Sequence, residues 1–202
     1  MIAIVNYGVG NLFSLESSFN AIGQNVIVTS DPNDLKHSDR IILPGVGAFE
    51  DAARKLFASG LAEPLIDEAR KGKPVLGICL GMQLLFTKSY EFGVHDGLNL
   101  IPGDVRPISD IIPADFKIPQ IGWNSLHLTK PSGLFANSHE GDYVYFVHSY
   151  SAFCDSGYIT AITDYGAGLT AAVQFGNVYG AQFHPEKSGN VGLNMLRAFC
   201  EV

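Results

Sequence analysis

Short apolar runs alternate with amphipathic stretches through the first eighty residues. Ile2 to Val5, Asn25 to Thr29, Arg40 to Leu43 and Val75 to Ile78 are apolar enough to be strands buried on both faces. Between them, Asn11 to Ile22 sets Leu12, Leu15, Phe19 and Ile22 three or four residues apart, the spacing of one helical face. Asp31-Pro32 has the form of an N-cap followed by a first helical residue. Ala48 to Ser59 and Leu61 to Lys71 read as two further helices, stopped by Gly60 and Gly72. After Val75 to Ile78 an apolar stretch continues through Phe86 and is read as a helix.

From Thr87 the pattern changes. Gly, Pro, Asp and Asn scatter through Tyr90 to Pro119 among short β-like pieces, the mark of inserted β-structure. Asp142 to Val147, Tyr158 to Thr163, Leu169 to Gln174 and Val178 to Phe183 are rich in β-branched and aromatic residues, with turn residues such as Gly166 and Gly176-Asn177 between them. A helix from about Gly189 to Cys200 closes the chain on Leu193, Leu196 and Phe199. The pattern predicts an α/β fold: a mostly parallel sheet wrapped by helices, with an added antiparallel β section in the C-terminal half. No linker, charge block or repeat divides residues 1–202, and one domain is expected.

Composition narrows the function. Hydrophobic residues make up 47% and charged residues 16%, which excludes disorder, and no apolar run approaches the roughly 20 residues of a membrane span. The net charge of −7 disfavours a nucleic-acid surface, which needs basic residues facing phosphates. The first residues enter a strand directly, without a signal-peptide pattern, and three cysteines lack framework spacing; both suit the cytoplasm. Gly8-Val9-Gly10-Asn11-Leu12-Phe13 invites a dinucleotide reading but has Phe13 at the third glycine position. None of the six histidines forms a close ligand pair, so neither a metal nor another cofactor is expected.

The candidate chemistry centres on Gly77-Ile78-Cys79-Leu80-Gly81, a strand, a sharp turn and a helix with a cysteine at the turn. Small flanking residues permit the tight turn that lifts a nucleophile clear of a sheet, and a helix N-terminus favours a thiolate. A lone cysteine in an apolar run would otherwise be core packing; the two bracketing glycines favour the nucleophile. Pro44-Gly45-Val46-Gly47 follows a neighbouring strand, where elbow enzymes draw a second oxyanion donor. At the end of the last strand stand His184-Pro185-Glu186, and in an extended backbone residues two apart share a side. A carboxylate there would orient the imidazole, select its tautomer and stabilise its cation.

Gly77 to Gln83 together with His184-Pro185-Glu186 resembles the class I glutamine amidotransferases, and the likeness spans almost the whole chain. The resemblance implies a flavodoxin-like α/β fold and a Cys79, His184, Glu186 triad that hydrolyses L-glutamine through a γ-glutamyl thioester. It implies oxyanion donors at Leu80 and in the Gly45-Val46-Gly47 loop, and glutamine-binding roles for Gly47, Gln83, Ser149 and Tyr150. Asn6 to Asn11, Pro44-Gly45-Val46-Gly47, Gly122-Trp123-Asn124 and Phe146 to Tyr150, with Lys187-Ser188, are similar to those members that feed ammonia to a (β/α)8-barrel cyclase in histidine biosynthesis. A heterodimer with that cyclase is implied, with Trp123, Asn124 and Lys187 at the contact. Gln120-Ile121 departs from the His-Met or similar pair usual before Gly122. The alternatives are a glutaminase serving another acceptor, such as a sugar-amidation enzyme, and a DJ-1-like hydrolase or cysteine peptidase on the same fold.

Overall fold

Alternation within single strands organises the molecule, which a computed structural model describes over residues 1–202. The strands are β1 Ile2–Val5, β2 Val26–Thr29, β3 Arg40–Leu43, β4 Val75–Ile78, β5 Phe86–Ser89, β6 His95–Asp96, β7 Ile101–Pro107, β8 Gln120–Ser125, β9 His127–Leu128, β10 Tyr143–His148, β11 Tyr150–Phe153, β12 Ile159–Asp164, β13 Gly168–Phe175 and β14 Val178–Ala181. The helices are α1 Leu12–Ala21, α2 Pro32–His37, α3 Phe49–Ala58, α4 Ala62–Arg70, α5 Leu80–Leu84 and α6 Gly189–Phe199. Ile2, Ile4, Ile42 and Leu76 send their side chains to one face of the central sheet, against Leu15 and Phe19 of α1 and Met195, Leu196 and Phe199 of α6. Ala3, Val5, Ile41 and Val75 point the other way, against α3 and α4. Because both faces are covered, these strands carry no polar positions in their middles.

The central sheet has the order β2-β1-β3-β4-β14-β13-β12-β9. Its first five strands run parallel and the rest antiparallel. Thus the α/β fold and its antiparallel section are as the pattern implies, but the late strands continue the front-half sheet instead of forming one beside it. The decisive step is β14, which enters parallel to β4 with Ile78 opposite Ala181. Two smaller sheets, β11-β7-β5-β6 and β10-β8, lie outside it.

Local signals hold at most ends. The Asn11 side chain accepts from the Ser14 N–H and that of Asp31 from the Asn33 N–H, capping α1 and α2. Gly60 and Gly72 stop their helices at φ of 75° and 95°. One expectation fails: the helix after Cys79 ends at Leu84, and Phe86 already begins β5. Periodicity cannot separate a short buried helix from a buried strand, and Phe86 pairs with Ile101 of β7. β8 and β11 are not legible as strands: Gly122, Asn124 and Ser125 break the pattern of β8, and β11 is four residues long.

Candidate active site

The parallel strands β3, β4 and β14 are neighbours, so the loops leaving their C-terminal ends meet at one place, the usual crevice of an open α/β sheet. Cys79 leaves β4 with φ 56° and ψ −114°, a conformation that costs a non-glycine residue on the order of 1–3 kcal/mol. Backbone bonds hold it there: its N–H donates to the Ala181 carbonyl at 2.7 Å and its carbonyl accepts from the Gln83 N–H at 3.2 Å. The flanking glycines are required by close approach. A Cβ on Gly81 would stand 1.9 Å from the Leu43 carbonyl oxygen, and one on Gly77 would stand 2.6 Å from the Gly81 carbonyl oxygen.

That same approach brings in the β3 loop. A Cβ on Gly45 would meet the Gly81 nitrogen at 2.7 Å, so the Pro44-to-Gly47 loop lies directly on the elbow. Tyr7, buried beyond the end of β1, donates its hydroxyl to the Pro44 carbonyl at 2.8 Å and ties the loop from the far side. Burial, then the charge of Cys79, push its phenol above the ordinary range, so it stays neutral. Gly47 has φ 93° and no neighbour within 4 Å of a would-be Cβ; its requirement is conformational.

His184 and Glu186 follow β14. The pair forms through a 3-10 turn, Pro185–Lys187, and not through the extended strand expected from the sequence. β14 ends at Ala181, and Pro185 begins the turn. The side chains nonetheless meet, His184 Nδ1 lying 2.8 Å from Glu186 Oε1 with 2% and 1% of their side-chain surfaces exposed. His184 Nε2 has no hydrogen-bond partner and is the nitrogen left for chemistry. Burial opposes the imidazolium, but the nearby Cys79 sulfur and the Glu186 carboxylate outweigh it and hold the pKa at about 9.

Cys79 and His184 line one cavity of about 270 Å³, together with Val46, Gly47, Leu80, Gln83, Ser149 and Tyr150. The expected site residues that do not line it are Gly45, which lies against the elbow, Glu186, which is behind His184, and Trp123, Asn124 and Lys187. Trp123 is half exposed on β8, edge to face with Tyr145, whose ring also carries the Lys187 ammonium at 5.7 Å. Asn124 is tied to the Asp164 carbonyl.

Glu91 and Gln182, which sequence reasoning passed over, also belong here, and so does His148, which directly precedes the expected glutamine-binding Ser149-Tyr150. Glu91 lines the cavity, accepts from the Phe49 N–H at 2.6 Å, and has its pKa raised by burial. His148, pushed down to about 4 by burial, is neutral; Nδ1 donates to the Tyr150 carbonyl at 2.8 Å. Gln120 Oε1 lies 2.9 Å from Nε2 and Gln120 Nε2 has no partner, so this neutral tautomer pairs with Gln120 once its amide is turned to present NH₂ to the ring. Gln182, fully buried, stands between Gln83 and Cys79. Its position directly before Phe183-His184 was visible, but its closeness to Cys79 depends on β14 pairing with β4.

A cysteine on a strained turn, a carboxylate-paired imidazole lining the same cavity and a glycine loop beside it on a doubly covered parallel sheet define the class of protein. The family model described as "Glutamine amidotransferase class-I" matches residues 3–201. The chain belongs to the class-I glutamine amidotransferase family. Within it, the chain is 49% identical over 203 residues to "Imidazole glycerol phosphate synthase subunit HisH" of Methanothermobacter thermautotrophicus, covering 100% of this chain and 98% of that one. The proteins of the same name from Caldanaerobacter subterraneus subsp. tengcongensis and Syntrophotalea carbinolica are 46% and 44% identical, covering 100% of this chain and 98% and 100% of theirs. Among solved structures, "Crystal structure of glutamine amidotransferase" matches with TM-score 0.77 at 17% identity, covering 100% of this chain and 98% of that one. "Structure of PurLQS from Thermotoga maritima" matches at TM-score 0.73 and 20% identity, covering 99% and 97%. These two likenesses concern the fold alone. No helix is long and apolar enough to cross a membrane.

Proposed function

We propose that this chain, a single catalytic domain, is the glutaminase subunit of an imidazole glycerol phosphate synthase. It releases ammonia from L-glutamine for a (β/α)8-barrel cyclase partner in the cytoplasm. The observation that carries the reading is the convergence of Cys79 and the Glu186-paired His184 on one cavity, in a chain 44–49% identical over its length to relatives of that name.

The Cys79 thiolate attacks the side-chain amide carbon of glutamine, and the carbonyl oxygen becomes an oxyanion. N–H groups of Leu80 and of the Gly45-Val46-Gly47 loop are the donors proposed for it; one such donor is worth about 3–4 kcal/mol in other acyl-transfer enzymes. The imidazolium form, held to about pH 9 by Cys79 and Glu186 together, gives its Nε2 proton to the departing nitrogen, so ammonia leaves and a γ-glutamyl thioester remains. Neutral His184 then takes a proton from water, which attacks the thioester, releases glutamate and restores the thiolate.

Gln83, Gly47, Ser149 and Tyr150 are proposed to hold the amino-acid end of glutamine. Both Gln83 N–H groups are already spent, on the Tyr150 carbonyl at 3.2 Å and on Gln182 Oε1 at 3.0 Å. Only its carbonyl oxygen is left, an acceptor suited to the substrate ammonium. Glu91 supplies the matching negative charge. The partner surface is proposed on the face of β8 and β10, where Ile121, Trp123 and Tyr143 are more than half exposed beside Tyr145 and Lys187. Apolar and aromatic exposure on one small sheet suits an interface core.

Replacing Cys79 with Ala in the complex tests the reading. Glutamine-dependent cyclisation is expected to vanish while cyclisation fed with an ammonium salt persists. Glutamine hydrolysis surviving in that variant would overturn it.

A further inference from the structure

Beyond the triad, a line of buried side-chain amides reaches the nucleophile. His148 and Gln83 both donate to the Tyr150 carbonyl, which fixes the Gln83 amide with its nitrogen on the protein side. The second Gln83 N–H donates to Gln182 Oε1 at 3.0 Å. That bond decides which way Gln182 faces. Turned over, Gln182 would oppose its NH₂ group to that of Gln83 and aim its oxygen at the sulfur, losing one hydrogen bond and repelling a thiolate. As it stands, Gln182 Nε2 lies 3.8 Å from Cys79 Sγ, within reach of a large sulfur acceptor, and the side chain is fully buried. On another side of the sulfur stands the Val147 carbonyl at 3.9 Å, which can accept from a thiol but repels a thiolate.

We infer that Gln182 is a positioning residue for the nucleophile: its amide N–H donates to the Cys79 thiolate, offsets the Val147 carbonyl, and ties sulfur geometry to Gln83, which meets the substrate. The inference rests on Cys79 being the nucleophile. The charged or titratable groups facing the sulfur are otherwise His184, which supports the thiolate as a cation, Tyr7, which is neutral, and Glu91 and neutral His148 across the cavity. A hydrogen bond to a charged group in a buried site is worth roughly a tenfold change or more in the thiolate–thiol equilibrium.

The test is the pH dependence of Cys79 alkylation by iodoacetamide, which needs no glutamine turnover. Gln182→Met keeps the volume and removes the donor; the alkylation midpoint is expected to move up by about one pH unit. Gln182→Glu, which sets a carboxylate against the sulfur, is expected to move it further. In both, kcat for glutamine in the complex falls while KM changes less than twofold. An unchanged midpoint in a variant with wild-type circular dichroism would overturn the inference. If the variants do not fold, the unsubstituted protein serves: the Gln182 side-chain amide proton resonance is expected to shift as Cys79 titrates and to stay fixed in Cys79→Ala, and a resonance indifferent to Cys79 would overturn it. Glutamine hydrolysis by Cys79→Ala sinks the functional reading instead, so the two failures are distinguishable.

Discussion

Glu186 Oε1 holds His184 Nδ1 at 2.8 Å with both side chains out of water, so the carboxylate fixes the ring, its tautomer and its charge together. In Glu186→Gln the ring loses its preference for the imidazolium and for presenting Nε2. Glutamine-dependent turnover in the complex is expected to fall roughly 10²- to 10⁴-fold with KM little changed, by analogy with the orienting acid of other triads. Steady-state kinetics with glutamine and with ammonium salt as nitrogen donor check this: only the first should fall.

The sign of the His184 shift gives a pH prediction. Its folded pKa, about 9, lies above the ordinary 6.5, so its contribution to stability is complete below pH 6.5 and is lost as pH rises through 9. The imidazolium proposed to protonate the departing nitrogen disappears over the same interval. An alkaline limb near pH 9 is expected in the kcat/KM profile, moving toward neutrality in Glu186→Gln. Thermal unfolding measured from pH 6 to 10 should show wild type losing its advantage over His184→Gln across that window.

The two kinds of glycine separate by experiment. Gly81→Ala drives a methyl into the Leu43 carbonyl at 1.9 Å, which only movement of β3 or the elbow can relieve. A loss of several kcal/mol in denaturant unfolding is expected, on the scale of severe overpacking. Gly47→Ala meets no neighbour but must hold φ 93°, at a cost on the order of 1–3 kcal/mol, so the chain folds while the loop is biased away. Glutaminase activity should therefore drop far more than stability.

Glu91 is the carboxylate lining the cavity. Its replacement by Gln should raise KM for glutamine about tenfold or more with kcat nearly kept, as expected for lost ground-state charge pairing. Because burial raises its pKa, KM for wild type should climb on acidification before an ordinary glutamate would titrate.

Trp123→Ala removes the largest exposed aromatic of the β8 and β10 face. An interface anchor of that type typically contributes about 2 kcal/mol or more, so titration calorimetry with the cyclase should show weakening of roughly 30-fold. Far-UV circular dichroism should not change, since Trp123 is half exposed and packs only edge-on against Tyr145.

By itself the sequence determined what local chemistry determines. Uninterrupted apolar runs became strands covered on both faces, Asn11 and Asp31 became caps, Gly60 and Gly72 stops, and two glycines around Cys79 marked a turn too tight for side chains. The tertiary structure decided everything that needed two distant segments side by side. Pairing of β14 with β4 set Gln182 against Cys79 and brought His184 to the same cavity, across about a hundred residues. It also gave Glu91 and His148 their surroundings, which no spacing encodes. The helix expected through Phe86 stopped at Leu84 because a buried apolar run is consistent with either periodicity until a partner strand claims its backbone, and β7 does so. Short-range sterics and capping are written in neighbouring residues; burial, pKa and strand partnership depend on groups that only the folded chain brings together.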